Sequence, residues 1–256
     1  MVELVRERII TNLKRLKLNR MREIFDPVLD QAQEASSSYL EVVDKLLVEE
    51  VASKADKRYK AILNQSGLPY RKTIDEYDFS FQPELDKRTI MNLFDLDFLR
   101  KKENVFFLGP PGVGKTHLAV ALAMKAAQMG HSVFCTTMFN LMRGLKVDRA
   151  ANHATWCRGY YRSSLVIVDE VGYMPVKRRD AHLFFRFINE RYEKRSIIIT
   201  SNKSFTEWEE LFDDPVIATA ILDRLLHHSQ VISIKGDSYR MNEHQQGKEK
   251  QKTEQT

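Results

Sequence analysis

Residues Gly109-Pro110-Pro111-Gly112-Val113-Gly114-Lys115-Thr116 fill every fixed position of the pattern G-x-x-x-x-G-K-[ST]. That pattern works only as a tight loop between a strand and a helix, so it constrains the fold around it. The flanks agree. Val105-Phe106-Phe107-Leu108 is an apolar run of the length of a buried parallel strand, and Ala119 to Met124 are good helix formers. In such a loop the glycines let successive backbone N–H groups converge on phosphate oxygens, and the helix N-terminus adds positive potential. Lys115 is expected to reach the outer phosphates and the Thr116 hydroxyl to ligand Mg²⁺.

The rest of the composition fits a globular nucleotide-binding chain. At 256 residues there is enough chain for an α/β core and a smaller second domain. No apolar run approaches the roughly 20 residues of a membrane span. Charges at Glu3, Arg6, Glu7 and Arg8 interrupt any signal-peptide core. Cys135 and Cys157 show neither metal spacing nor a disulfide framework, which suits a reducing cytoplasm. The net charge of +5 permits a polyanionic partner without requiring one.

Residues 1–68 read as a helical N-terminal domain. Val2, Val5, Ile9, Leu13 and Leu16 fall at helical spacing, and Met21, Ile24, Phe25, Val28 and Leu29 continue it. Pro27 interrupts the run, so Asp26 is expected to cap a fresh helix with Pro27 at its first position. Ser38-x-x-Glu41 has the form of a capping box for the next helix. Residues 69–83 form a connector too aromatic (Tyr70, Tyr77, Phe79, Phe81) for a flexible linker. Residues 84–240 alternate strand and helix, which implies a parallel five-stranded sheet with helices on its faces. The expected strands are 104–108, 132–136, 164–169, 196–201 and 230–235; helices are expected at 115–129, 179–194 and 215–227. Residues 241–256 are polar and expected to be disordered.

Three further elements complete a nucleotide site. The apolar strand Ser164–Val168 ends in Asp169-Glu170. There Asp169 would hold Mg²⁺ through water, and Glu170 would orient and activate the attacking water. The strand Ile197-Ile198-Ile199 ends in Thr200-Ser201-Asn202, where Asn202 either senses the γ-phosphate or caps the next helix. Arg224 sits alone on the apolar helix Ile221–Leu226 and must find an acceptor: an acid of its own chain, or the nucleotide of a neighbouring subunit.

With these elements in order, the motif-bearing part resembles AAA+ ATPases of the initiator and helicase-loader clade. The stretches Lys72–Pro83, Glu103–Gly112, Asp169–Tyr173 and Leu222–His228 further resemble the IstB family, ATP-dependent helpers of bacterial insertion-sequence transposition related to the DnaC helicase loader. The resemblance spans about residues 10–240. It implies ATP-driven self-assembly on duplex DNA, largely independent of sequence, and stimulation of the transposase of the same element. It also implies a nucleoid-associated bacterial location. By motif match, Gly109 to Thr116 bind the nucleotide, Asp169 and Glu170 are the Mg²⁺/water pair, Asn202 is the first sensor, and Arg224 is a finger acting in trans. The clade carries an extra helix before the strand with the acid pair; residues 148–162, with Arg149, His153, Arg158 and Arg162, match it.

Two alternatives stay open: a helicase loader of the DnaC kind, and an ATP-locked architectural protein that bends DNA with little turnover. Too few residues follow Arg224 for a full helical lid, and Arg240 is a candidate for part of a second sensor's role. Candidate DNA contacts are Lys14, Arg15, Lys17, Arg20 and Arg22, and Lys54, Lys57, Arg58 and Lys60, with Lys177-Arg178-Arg179 as a further cluster. Phe79 and Phe81 either wall the adenine or pack in the core. His227-His228 reads as helix packing or capping, since no further ligand stands at metal spacing in the sequence.

Overall fold

The computed structural model describes residues 2–151 and 158–242. His153, Cys157 and the polar tail beyond Asn242 lie outside the described residues. The chain divides into two compact units, Met1–Ala61 and one that begins at Ile62.

The first unit consists of α1 (Val2–Arg15), α2 (Asn19–Glu34) and most of α3 (Tyr39–Gln65). Leu13, Phe25, Val28 and Leu46 form its core, with Ile9, Met21, Ile24 and Val42 packed against them. The break between α1 and α2 falls at Lys17, which takes a left-handed conformation (φ +57°). Leu18 N–H returns to the Leu13 carbonyl at 2.9 Å and closes the helix end. Leu18 has no side chain able to cap α2. Buried Glu50 of α3 does so instead, accepting from Met21 N–H at 2.9 Å. Ser38 and Glu41 form the expected capping box: Ser38 N–H donates to Glu41 Oε2 at 2.7 Å, and Glu41 N–H to Ser38 Oγ at 3.3 Å.

The expectation of a new helix at Pro27 is corrected. Pro27 lies inside α2, which runs through it. Such a proline costs about 3 kcal/mol. Buried Phe25 and Val28, at ~1.5–3 kcal/mol each, hold the helix together on either side. Asp26 caps nothing; it accepts from Arg6 Nε at 2.8 Å.

After the last turn of α3, the second unit has two short 3₁₀ turns, Ile74–Glu76 and Phe79–Phe81, then α4 (Lys87–Leu93) and α5 (Asp97–Lys101). The sheet comprises β1 (Asn104–Leu108), β2 (Val133–Thr137), β3 (Leu165–Val171), β4 (Ser196–Ser201) and β5 (Ser229–Ser233). Its order is β2-β3-β4-β1-β5, and every neighbouring pair is parallel. Helices α6 (Lys115–Gln128), α7 (Met138–Ala151), α8 (Arg158–Arg162), α9 (Arg178–Arg191), α10 (Trp208–Phe212) and α11 (Pro215–Leu226) connect or follow the strands. The expected strand at 132–136 and the one at 230–235 are each displaced by a residue or two. In place of one helix over 148–162, α7 carries Arg149 in its last turns, and α8 carries Arg158 and Arg162.

Val105, Phe106 and Phe107 are wholly buried, as a central parallel strand covered on both faces requires. On one face Phe106, Val166, Val168 and Ile199 pack with Phe184, Phe187, Trp208, Phe212, Ile221 and Leu225. This strand order sets β4 between β1, which feeds the phosphate loop, and β3, which ends in the acid pair. The C-terminal ends of three strands therefore converge on one crevice, the usual place for a ligand in an open α/β sheet.

Candidate nucleotide-binding site

The phosphate loop leaves β1 at Leu108 and enters α6 at Lys115. Gly112 (φ +83°) and Gly114 (φ +95°) both take the left-handed conformation. A Cβ at Gly114 would also stand 2.6 Å from the Tyr77 ring, and one at Gly112 would run into the Ser238 side chain. These two positions are closed to any other residue by conformation and by space. Lys115 is buried, and its ammonium donates to the carbonyls of Gly109 (2.7 Å) and Pro110 (2.6 Å). Burial lowers its pKa, while the nearby Asp169 carboxylate opposes that shift. The loop thus holds the cation where phosphate oxygens would meet it.

Thr116 Oγ1 donates to Asp169 Oδ1 at 2.9 Å, which joins the start of α6 to the end of β3. Thr200 Oγ1 at the end of β4 donates to the same carboxylate oxygen and accepts Glu170 N–H at 3.1 Å. A bulge between Val168 and Val171 interrupts the β3–β4 register, and within it Glu170 has φ +61°. The bulge turns Glu170 to the exposed side while Asp169 stays buried. A hydroxyl and a carboxylate in contact form the hard oxygen donor set that Mg²⁺ prefers, so the residues fit the ion.

A cavity of about 380 Å³ opens over these groups. Gly112, Gly114, Lys115, Thr116, Asp169, Glu170 and Thr200 line it, as do Tyr70, Tyr77, Phe81, His117, Tyr239 and Arg240. The connector supplies much of one wall. Tyr77 donates its hydroxyl to the Val113 carbonyl at 3.2 Å, and burial pushes its pKa up to about 12. Its ring meets His117 edge-on at 5.3 Å, and His117 Nε2 lies 2.9 Å from the Thr73 carbonyl. From the other side, Tyr239 N–H donates to the Gly112 carbonyl at 3.0 Å. Among the described residues, β5 is followed by a helical turn at residues 239–242 and by no helical lid. Arg240 reaches the cavity from that turn.

Asn202 and Arg224 are not part of this cavity's lining. Asn202 packs against the Gly172 turn just after the acid pair, and its Oδ1 is buried without a hydrogen-bond partner. Arg224 is held on α9: Nε donates to Asn189 Oδ1 at 3.2 Å, and the guanidinium lies 4.5 Å above the Phe185 ring. It forms no pair with an acid of its own helix in this arrangement. Phe81 lines the cavity, whereas Phe79 stacks edge-on against Tyr77. Thr200, Tyr77, Tyr239 and His117 were not singled out from the sequence. The aromatic connector was the one visible signal for Tyr77, and nothing in the residue pattern marks Thr200 over its neighbour Ser201.

A parallel sheet in this order, with a phosphate loop after β1 and an acid pair closing β3, defines a P-loop nucleotide-binding protein of the AAA+ fold. Solved structures agree on the fold. The AMPPCP-bound DnaA of Aquifex aeolicus aligns with a TM-score of 0.54 at 21% identity, over 68% of this chain and 54% of that one. This chain therefore spans about half the length of that DnaA. DnaI aligns with a TM-score of 0.54 at 20% identity, over 64% of this chain and 91% of that one. The chain belongs to the IstB-like ATP-binding protein family, whose sequence model matches residues 11–247. It is similar to the ATP-binding protein of insertion sequence IS21 from Pseudomonas aeruginosa, at 42% identity over 90% of this chain and 88% of that one. The ATP-binding protein of insertion sequence IS5376 from Geobacillus stearothermophilus is also 42% identical, over 97% and 99%.

Proposed function

We propose that this protein is an ATPase that assembles on duplex DNA and regulates the transposase of an insertion sequence, with ATP hydrolysis timing assembly and release. The observation that carries the reading is a division of labour. Lys115, Thr116, Asp169 and Glu170 share one cavity, while Arg224 is absent from its lining. This half-buried guanidinium is held on α9 by Asn189 and Phe185; released from them it can serve the cavity of a neighbouring subunit, and assembly would then complete the hydrolytic site.

In this reading Lys115 and the loop amides bind the ATP phosphates, and Glu170 orients the attacking water. Thr116 and Asp169 would hold Mg²⁺, which would neutralise charge on the phosphates. Asn202, with its unpaired acceptor beside the acid-pair turn, registers the nucleotide state by gaining a partner when that turn shifts. Tyr70, Phe81 and Tyr239 offer aromatic walls for the base.

The helical N-terminal unit is assigned to DNA. Its cations differ in how free they are. Arg20 is tied to Glu49 at 2.9 Å, Lys60 to Asp56 at 2.7 Å, and Lys54 lies 3.7 Å from Glu50. Lys14, Arg15, Lys17 and Lys57 are exposed and carry the phosphate contacts in this assignment. Arg22 lines an open groove with Glu3, Glu7 and Asp26, which weakens its claim. In the Lys177-Arg178-Arg179 cluster, Arg178 is paired with Asp214 at 2.8 Å.

ATP-dependent binding to random-sequence duplexes across a salt series tests the assignment. Replacing Lys14 and Lys17 by Glu should weaken binding to all sequences alike. The double substitution should also flatten the slope of log K against log salt by about 2. Duplex affinity absent at every salt concentration, combined with tight binding to a replicative helicase, would favour the loader reading instead.

A further inference from the structure

Away from the nucleotide cavity, the ends of α9 and α11 bring together Glu193, His227 and His228. One donor atom from each lies within 4.8 Å of the other two, and all three side chains are exposed. His228 Nε2 stands 3.7 Å from Glu193 Oε1, and the two imidazole rings are 4.0 Å apart. Donors bound tetrahedrally at ~2.0–2.1 Å lie about 3.3 Å from one another. Exposed side chains cover the remaining distance by small rotations.

Several features make this more than a chance grouping of surface residues. The Tyr192 hydroxyl lies 2.7 Å from His227 Nδ1; with the proton on Nδ1 and the hydroxyl accepting it, Nε2 keeps a lone pair for a metal ion. Orientation of a ligating imidazole through its second nitrogen is a regular feature of metal sites. The backbone beneath is anchored: His227 N–H donates to the Asp223 carbonyl at 3.1 Å, and the His228 carbonyl accepts from Asn104 N–H at 2.8 Å. Two imidazoles and a carboxylate match a borderline transition metal and are poor ligands for Mg²⁺, which prefers oxygen donors alone.

We infer that Glu193, His227 and His228 form a Zn²⁺ site with three protein ligands and an open position for water, positioned by Tyr192. The ion bridges the ends of α9 and α11. Arg224 lies one turn before the histidines on α11 and rests on Asn189 and Phe185 of α9. Zinc therefore adds a link across the same helix pair that holds Arg224. The site does not depend on the proposed role in transposition.

Titration calorimetry of the full chain with Zn²⁺, in a buffer with excess Mg²⁺, tests this. One equivalent should bind with a dissociation constant of roughly 1–10 µM. His228→Ala and Glu193→Gln should each weaken binding at least ~10-fold, and Tyr192→Phe by about 10-fold. The thermal midpoint should rise with Zn²⁺ concentration in the unsubstituted protein and stay flat in His228→Ala. Far-UV circular dichroism confirms that each variant is folded, and Glu193→Gln, on an exposed side chain, serves if His228→Ala is not. Absence of binding at 1 mM Zn²⁺ overturns the inference. Binding that the folded variants leave unchanged assigns the ion elsewhere and also overturns it.

Discussion

Arg191 is wholly buried with no carboxylate paired to it among the described residues, an arrangement that a single side chain sustains only through its hydrogen bonds. Its guanidinium donates to the carbonyls of Tyr160 (2.7 Å), Ser163 (3.0 Å) and Ser196 (2.7 Å), joining α8 and the start of β4 to α9. Burial pulls its pKa down to about 9, so it remains charged at neutral pH. Arg191→Leu would leave three carbonyls without this donor. Urea unfolding should report a loss of about 3 kcal/mol or more. Lys115 makes a different prediction. Lys115→Ala removes the phosphate-facing cation from a loop whose backbone is held by Tyr77 and Tyr239. The variant should therefore keep its thermal midpoint within about 2 °C while losing ATP binding in a fluorescent-nucleotide titration. In sequence, Lys115 is plain from its motif, whereas Arg191 is one cation among many, and only the fold shows that it is buried.

Helices and strands were legible to the extent that their own chemistry defines them. The capping box at Ser38 and Glu41 is local, and so is the apolar run of β1. The break at Lys17 was not legible, because apolar spacing continues across it and no glycine marks it. Pro27 misled for the opposite reason: a local breaker was overridden by burial of Phe25 and Val28. The bulge at Glu170 is likewise invisible, since it arises from pairing with β4. Another capping box, Ser204 with Glu207, supports a pH prediction. Lys203 and Ser204 hold the Glu207 carboxyl at about 2, well below its ordinary range. A depressed carboxylate stabilises the fold above its ordinary pKa, and that contribution is lost as pH falls toward the folded value. Thermal midpoints measured from pH 6 down to pH 2 should fall more steeply in the unsubstituted protein than in Glu207→Gln, mainly below about pH 4.5. Equal slopes would remove Glu207 from the account.

For the whole molecule the question is whether one chain holds a complete hydrolytic site. Phosphate loop and acid pair meet in one cavity, but Arg224 is kept on α9 outside it. Arg224→Ala should leave nucleotide binding by single subunits intact and reduce DNA-stimulated hydrolysis by about 10³-fold or more. Subunit mixing is the sharper measurement. Arg224→Ala chains retain Glu170, and Glu170→Gln chains retain the phosphate loop and the arginine, so an equal mixture should regain about a quarter of the normal rate from random neighbours. A mixture as inactive as its components would mean that the arginine serves its own chain or none.

The chemistry of the site was readable along the chain, because a phosphate loop, an acid pair after a strand and a helix start are built from residues adjacent in sequence. Their family resemblance was readable for the same reason. The strand order was not, and it is what sets Asp169 between the hydroxyls of Thr116 and Thr200. His227-His228 looked unpartnered in sequence because Glu193 comes from another helix end. Such groups meet through parallel strand pairing and the packing of helices on a sheet, interactions between segments far apart in the chain, and no local pattern encodes them.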